Sequence, residues 1–115
     1  MGYFNKIIKK YKSEFLFELP LYNNTEKSTI LYEDSKIKVE KIISYGYKSP
    51  NNFWYEQNEK EYVYILQGSG TLLFENNNEV ILKQGDKYLI ESNLKHKVCY
   101  TSLNPPCVWL CMFVK

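Results

Sequence analysis

At 115 residues, with 44% hydrophobic and 24% charged content, the chain is one domain with a single core. A net charge of +2 argues against nucleic-acid binding through phosphates, and 17% aromatic residues, eleven tyrosines among them, favour strands over helices. Phe4, Ile7, Ile8, Tyr11 and Phe15 recur at helical spacing, so residues 4–15 read as a short amphipathic helix. Lys6, Lys9, Lys10 and Lys12 solvate its other face. Phe15 to Leu19 is extended and stopped by Pro20. From Lys36 the texture is β: Lys36 to Ile42 alternates apolar and charged residues as a half-buried strand does. Gly46 and Pro50-Asn51-Asn52 break it. Glu61 to Gln67 is the next strand, and Gly68-Ser69-Gly70 supplies a turn or bulge before Thr71 to Glu75. Asn76-Asn77-Asn78 makes a hairpin tip, Val80 to Leu82 returns, and Gln84-Gly85-Asp86 turns again, with Asp86 capping through backbone bonds. Tyr88 to Ile90, Lys97 to Thr101 and Val108 to Phe113 complete a set of short, evenly spaced strands, the pattern of a sandwich or barrel.

No apolar run reaches the roughly 18 residues of a membrane span, and the N-terminus lacks the apolar stretch and cleavage site of a secretory signal. Three cysteines, Cys99, Cys107 and Cys111, read as reduced thiols of a cytoplasmic protein. Cys107 and Cys111 have the wrong spacing for a zinc knuckle or redox pair and flank strand-like residues, so they are expected in the packing.

Two residues stand out for chemistry. Glu61 shares a strand face with Val63 and Ile65, where a carboxylate is partly buried and must find a cation, a metal or a donor. His96, the chain's only histidine, heads a second alternating face with Val98 and Tyr100. If both faces point inward, Glu61 and His96 look into one cavity. A buried histidine satisfied by a glutamate is also a common purely structural outcome. Phe53, Trp54 and Tyr55 beside Pro50 form an aromatic run that either lines a cavity mouth and stacks on a ligand or plugs the barrel.

These segments resemble the two motifs of the cupin superfamily, G-x5-H-x-H-x3,4-E-x6-G and G-x5-P-x-G-x2-H-x3-N. Glu61 and Gly68 keep the spacing of the first, with Gly46 too far upstream, and the places of its two histidines fall on Tyr55 and Gln57 or on Trp54 and Glu56. Gly85 and His96 keep the spacing of the second, with Glu91 for proline, Asn93 for glycine and Tyr100 for asparagine. A closer likeness is to small bacterial cupins of unassigned activity, carried by Trp54-Tyr55-Glu56-Gln57, Glu61-Tyr62-Val63, Leu66, Gly68, Gly85-Asp86, Ile90, His96, Val98 and Trp109-Leu110.

The resemblance implies an all-β, jelly-roll-like antiparallel β-barrel of one domain spanning 1–115. Its core covers about 36–113, and an N-terminal extension over 1–20 packs on the barrel or on a partner subunit of a homodimer. It implies a small molecule bound inside the barrel, with Gln57, Trp54, Tyr55 and Tyr100 as ligand-binding residues. Glu61, His96 and Gln57 would hold a divalent metal (zinc, manganese, iron or nickel), a poorer donor set than the three histidines and one glutamate of most metal-dependent cupins. The alternatives are a metal-free acid–base enzyme of isomerase or epimerase type working through His96 and Glu61, with Tyr55 or Tyr100 as a second acid, and a non-catalytic binding or interaction module.

Overall fold

The computed structural model describes residues 23–115, and the helix, extended segment and docking surface expected within residues 1–20 lie outside them. Among the described residues there is no helix, hence none long and apolar enough to cross a membrane. Eight strands follow in chain order: β1 (Thr25–Glu33), β2 (Ile37–Tyr45), β3 (Lys60–Gln67), β4 (Ser69–Phe74), β5 (Glu79–Lys83), β6 (Lys87–Ile90), β7 (His96–Thr101) and β8 (Cys107–Val114). They form a five-stranded sheet in the order β1-β2-β8-β3-β6 and a three-stranded sheet in the order β5-β4-β7. Every pairing is antiparallel.

The period of two along each strand divides the larger sheet into an inner and an outer face. Inward from β8 come Cys107, Trp109, Cys111 and Phe113, joined by Val63 and Ile65 of β3 and Ile90 of β6. Leu72 and Phe74 of β4 and Leu82 of β5 close the core from the smaller sheet. Cys107 and Cys111 are free thiols inside this packing, as their flanking residues led us to expect. Outward, Ile43 and Val108 form a second apolar cluster with Leu31, Tyr45 and Leu66.

One strand has no counterpart in the sequence reading. β1 is an edge strand, polar and mostly exposed, so no buried face imprints an alternation on Thr25–Glu33. Asp34 closes its turn into β2 by accepting hydrogen bonds from the Lys36 and Ile37 N–H groups at 2.8 and 2.9 Å. These two bonds hold the Asp34 carboxyl below its usual range. Asp86 does the same work between β5 and β6, accepting from Lys83 N–H at 2.8 Å.

The two sheets are unequal, and the inequality positions the site. β4 and β5 pack over β8 and β3, while β1 extends past them. Ile30 therefore faces inward, opposite Glu40, yet is 54% exposed. Among the described residues, no strand of the smaller sheet covers the barrel along its β1–β2 side.

Candidate functional site

His96 and Glu61 meet inside the barrel. Glu61 projects inward from the start of β3, and His96 projects inward from the start of β7 in the opposite sheet. The two residues are 8% and 5% exposed, with His96 Nε2 at 3.9 Å from Glu61 Oε1. That separation is too long for a hydrogen bond. They line a cavity of about 130 Å³ with Tyr55, Gln57, Trp109 and Phe113.

The loop before β3 is stitched to the segment leading into β7. Tyr55 and His96 exchange backbone hydrogen bonds of 2.7 and 3.0 Å, and Asn93 N–H donates to the Gln57 carbonyl at 2.7 Å. The Tyr55 ring stacks on the imidazole with centroids 5.8 Å apart. The same stitching brings Gln57 Nε2 to 2.9 Å from Glu61 Oε1, as a donor. The buried Cys111 thiol lines the same cavity. Burial, the Glu61 charge and the Glu40 charge together push this thiol well above its ordinary range, so it remains an S–H donor. Gln57 thus supplies the buried carboxylate with one donor, to Oε1.

The imidazole is fixed from behind. His96 Nδ1 lies 2.9 Å from the Leu94 carbonyl oxygen, which can only accept, so Nδ1 carries a proton. In the neutral ring Nε2 is then unprotonated, and its lone pair faces the cavity and the Glu61 carboxylate. The result is two buried acceptors looking at one another across a gap that a donor could bridge.

Tyr55 and Gln57, rather than Trp54 and Glu56, are the members of this segment that reach the cavity. Glu56 is exposed, and Trp54 lies outside the cavity beneath Lys97, whose Nζ is 4.7 Å from the indole centroid. Tyr100 does not line this cavity either. Leu72 pairs with Val98 and Thr71 with Tyr100, so Cys99 is an extra residue in β7. This bulge resets the side-chain phase: Val98 lines the cavity and Tyr100 is 53% exposed. Burial, followed by the charge of Glu26 and the hydroxyl of Tyr47, pushes the Tyr55 phenol far up, so it serves as a donor and not as a ready acid.

Sequence reasoning missed Glu26 and Glu40, which line the cavity towards the barrel's β1–β2 side. On β2 the alternation suggests that the charged residues face water, but Glu40, Ile42 and Ser44 pair with Cys111, Trp109 and Cys107 and point inward. Burial, with Lys38 opposing and Glu61 adding, raises the Glu40 carboxyl, and burial followed by the Glu40 charge raises Glu26. Only the strand order could have brought these carboxylates to Glu61.

The donor set does not fit a held metal. Among the described residues no three His, Cys, Asp or Glu side chains come together as ligands. His96 has one carboxylate and one neutral amide near it, and that carboxylate is already engaged by Gln57. Extensively desalted protein is therefore expected to carry well under one equivalent of zinc, manganese, iron or nickel by elemental analysis. His96→Ala is expected to leave that content unchanged; near-stoichiometric metal lost in a folded His96→Ala variant would overturn this reading.

The family model for the cupin domain matches residues 44–113. Among solved structures, a protein from Ralstonia eutropha JMP134 that carries the provisional name mannose-6-phosphate isomerase superposes with a TM-score of 0.78 at 28% identity, over 88% of this chain and 94% of that one. A cupin superfamily protein from Desulfitobacterium hafniense DCB-2 gives 0.69 at 14% identity, over 83% and 82% of the two chains. The DMSP lyase DddQ from Ruegeria pomeroyi DSS-3 gives 0.66 at 18% identity, over 78% of this chain and 47% of that one. The last two likenesses bear on the fold alone. No curated protein sequence matches the chain at a significant level.

Proposed function

The chain belongs to the cupin family, and from that premise we propose that it binds a small molecule inside its barrel, with a hydrogen-bond donor of the ligand held between His96 Nε2 and the Glu61 carboxylate. The observation that carries this reading is the pair of buried acceptors 3.9 Å apart, both aimed into one cavity. Two acceptors left facing each other in a low-dielectric pocket are costly, and a ligand N–H or O–H removes the cost. The cavity's apolar walls, Ile42, Val63, Leu72 and Trp109 among them, would take the ligand's hydrocarbon part. Its volume of about 130 Å³ is close to the roughly 150 Å³ apolar cavity that accepts a benzene, so the ligand has about six to eight non-hydrogen atoms.

The fixed tautomer of His96 favours proton transfer as a second reading. Nε2 is a base aimed at the ligand's donor, and a proton taken there would give an imidazolium 3.9 Å from the Glu61 oxygen. That is the acid–base arrangement of a metal-free isomerase, with Tyr55 as a neutral donor. The phosphorylated sugar in the name of the Ralstonia protein is not carried over. Among the described residues the cavity lining has no lysine or arginine to receive a phosphate.

Because His96 is the only histidine, 15N-histidine labelling gives one pair of ring nitrogen signals, whose long-range proton couplings identify the tautomer. The expected result is protonated Nδ1 in the neutral form, and small-molecule hits that shift the Nε2 signal saturably. His96→Ala should weaken those hits by about tenfold or more, since it removes a buried hydrogen-bond acceptor. Trp54→Phe and Tyr100→Phe should leave them within about twofold. Hits that bind without disturbing His96 would remove the proposal.

A further inference from the structure

We infer that the ligand is a small organic cation, a primary ammonium on a short apolar body; this rests on the binding reading above and specifies its charge. Three observations on the cavity point the same way.

The first is proton count. Between His96 Nε2 and Glu61 Oε1, 3.9 Å apart, one nitrogen or oxygen can sit within hydrogen-bond reach of both. A hydroxyl has a single proton and satisfies one acceptor while turning a lone pair on the other. An ammonium has three protons, satisfies both and keeps one to spare. His96 is 95% buried by the complement of its 5% exposure, and Nε2 has no hydrogen-bond partner among the described residues.

The second is charge. Glu61 lies in the cavity, and Glu26 and Glu40 line it towards the β1–β2 side, so three carboxylates border the ligand's space. Among the described residues the lining has no lysine or arginine, and the 115 residues contain no arginine at all. The planar fork that usually receives a phosphate or carboxylate is missing from the chain. Lys38 reaches the rim without lining the cavity: its Nζ lies 4.6 Å from the Phe113 ring centroid, and it opposes the rise in Glu40. Even with that neighbour, burial and then the Glu61 charge raise the Glu40 carboxyl, and burial and then the Glu40 charge raise Glu26, so a ligand cation beside them would be favoured.

The third is the wall. Tyr55, Trp109 and Phe113 present aromatic surface to the same space. An aromatic wall beside carboxylates is a receptor for ammonium ions.

The test uses three probes with one branched five-carbon skeleton: 3-methylbutylammonium, 3-methylbutanol and 3-methylbutanoate. Each is titrated into 15N-histidine-labelled protein while the His96 ring signals are followed. The ammonium is expected to bind about tenfold tighter than the alcohol, the preference that two or three partly screened carboxylates provide. The carboxylate is expected to give no saturable shift. In Glu26→Gln/Glu40→Gln protein the ammonium should fall to within about threefold of the alcohol, while the alcohol is unchanged. These substitutions remove charges that burial already disfavours, and Glu40→Gln alone is a second variant should the pair fold poorly. Equal binding of alcohol and ammonium would overturn the cation inference and leave the cavity reading standing. Preference for the carboxylate would do the same. No shift of His96 by any probe would overturn both.

Discussion

Trp109→Ala is expected to lower the unfolding free energy by about 3–5 kcal/mol, the range for truncating a buried aromatic. Trp109 lies on β8, the middle strand of the larger sheet, between Ile42 of β2 and Ile65 of β3, and is 3% exposed. Across the core its six-membered ring lies against Gly70, where even a methyl group would collide with it. Its Nε1–H donates to Ser44 Oγ at 3.0 Å, fully inside the protein. Alanine removes the ring from both sheets and widens the ligand cavity into the core. Trp109→Phe separates the terms. It keeps most of the contact but leaves the Ser44 hydroxyl without its donor, at a cost of about 1–2 kcal/mol. Urea unfolding measures both, and a loss below about 1 kcal/mol for the alanine variant would mean that β8 does not anchor the core.

Gly68→Ala is expected to cost about 3 kcal/mol, against about 1 kcal/mol for Gly85→Ala. Both glycines have positive φ, +74° and +91°, so both substitutions incur the left-handed backbone penalty. Only Gly68 adds a clash. A β-carbon there would lie 2.6 Å from the Pro106 carbonyl oxygen and 3.0 Å from Cys107 Cα, and against the Ser102 hydroxyl. These atoms cannot easily give way. Ser69 N–H donates to Ser102 Oγ at 3.0 Å, and Ser102 N–H donates to Ser69 O at 2.9 Å, which ties the β3–β4 link to the loop before β8. Around Gly85 there is nothing within 4 Å. The paired denaturation curves decide the matter: equal losses would mean that backbone conformation alone sets the cost.

Much of this architecture was legible, for a reason that particular residues make plain. Strands with one face in the core, such as Glu61-Val63-Ile65 and Trp109 with its neighbours, carry a two-residue period that burial enforces. β1 carries none, because its inward face opens to water at Ile30. The meeting of Glu61 with His96 followed from their faces together with the cupin resemblance. Tyr100 was placed with them by counting in twos, and the extra residue at Cys99 breaks that count with no mark in the composition. Glu40 escaped notice because a strand's own pattern does not reveal what lies beyond its edge. Glu40 is opposite Cys111 and Glu61 opposite Phe113, so their common space depends on β8 lying between β2 and β3.

That central place of β8 also has a consequence for synthesis. A ribosome makes β2 and β3 well before β8, yet each has β8 as its neighbour on one side. Without β8, the pairings of the larger sheet reduce to a β1–β2 hairpin and a β3–β6 ladder with no strand between them. Both have open edges, the form of chain most prone to pair with the wrong neighbour. A chain without β8 lacks Trp109, Cys107 and Cys111, and with them the middle of the core. The larger sheet and the wall of the ligand chamber that β8 supplies can therefore be completed only after the last strand is made.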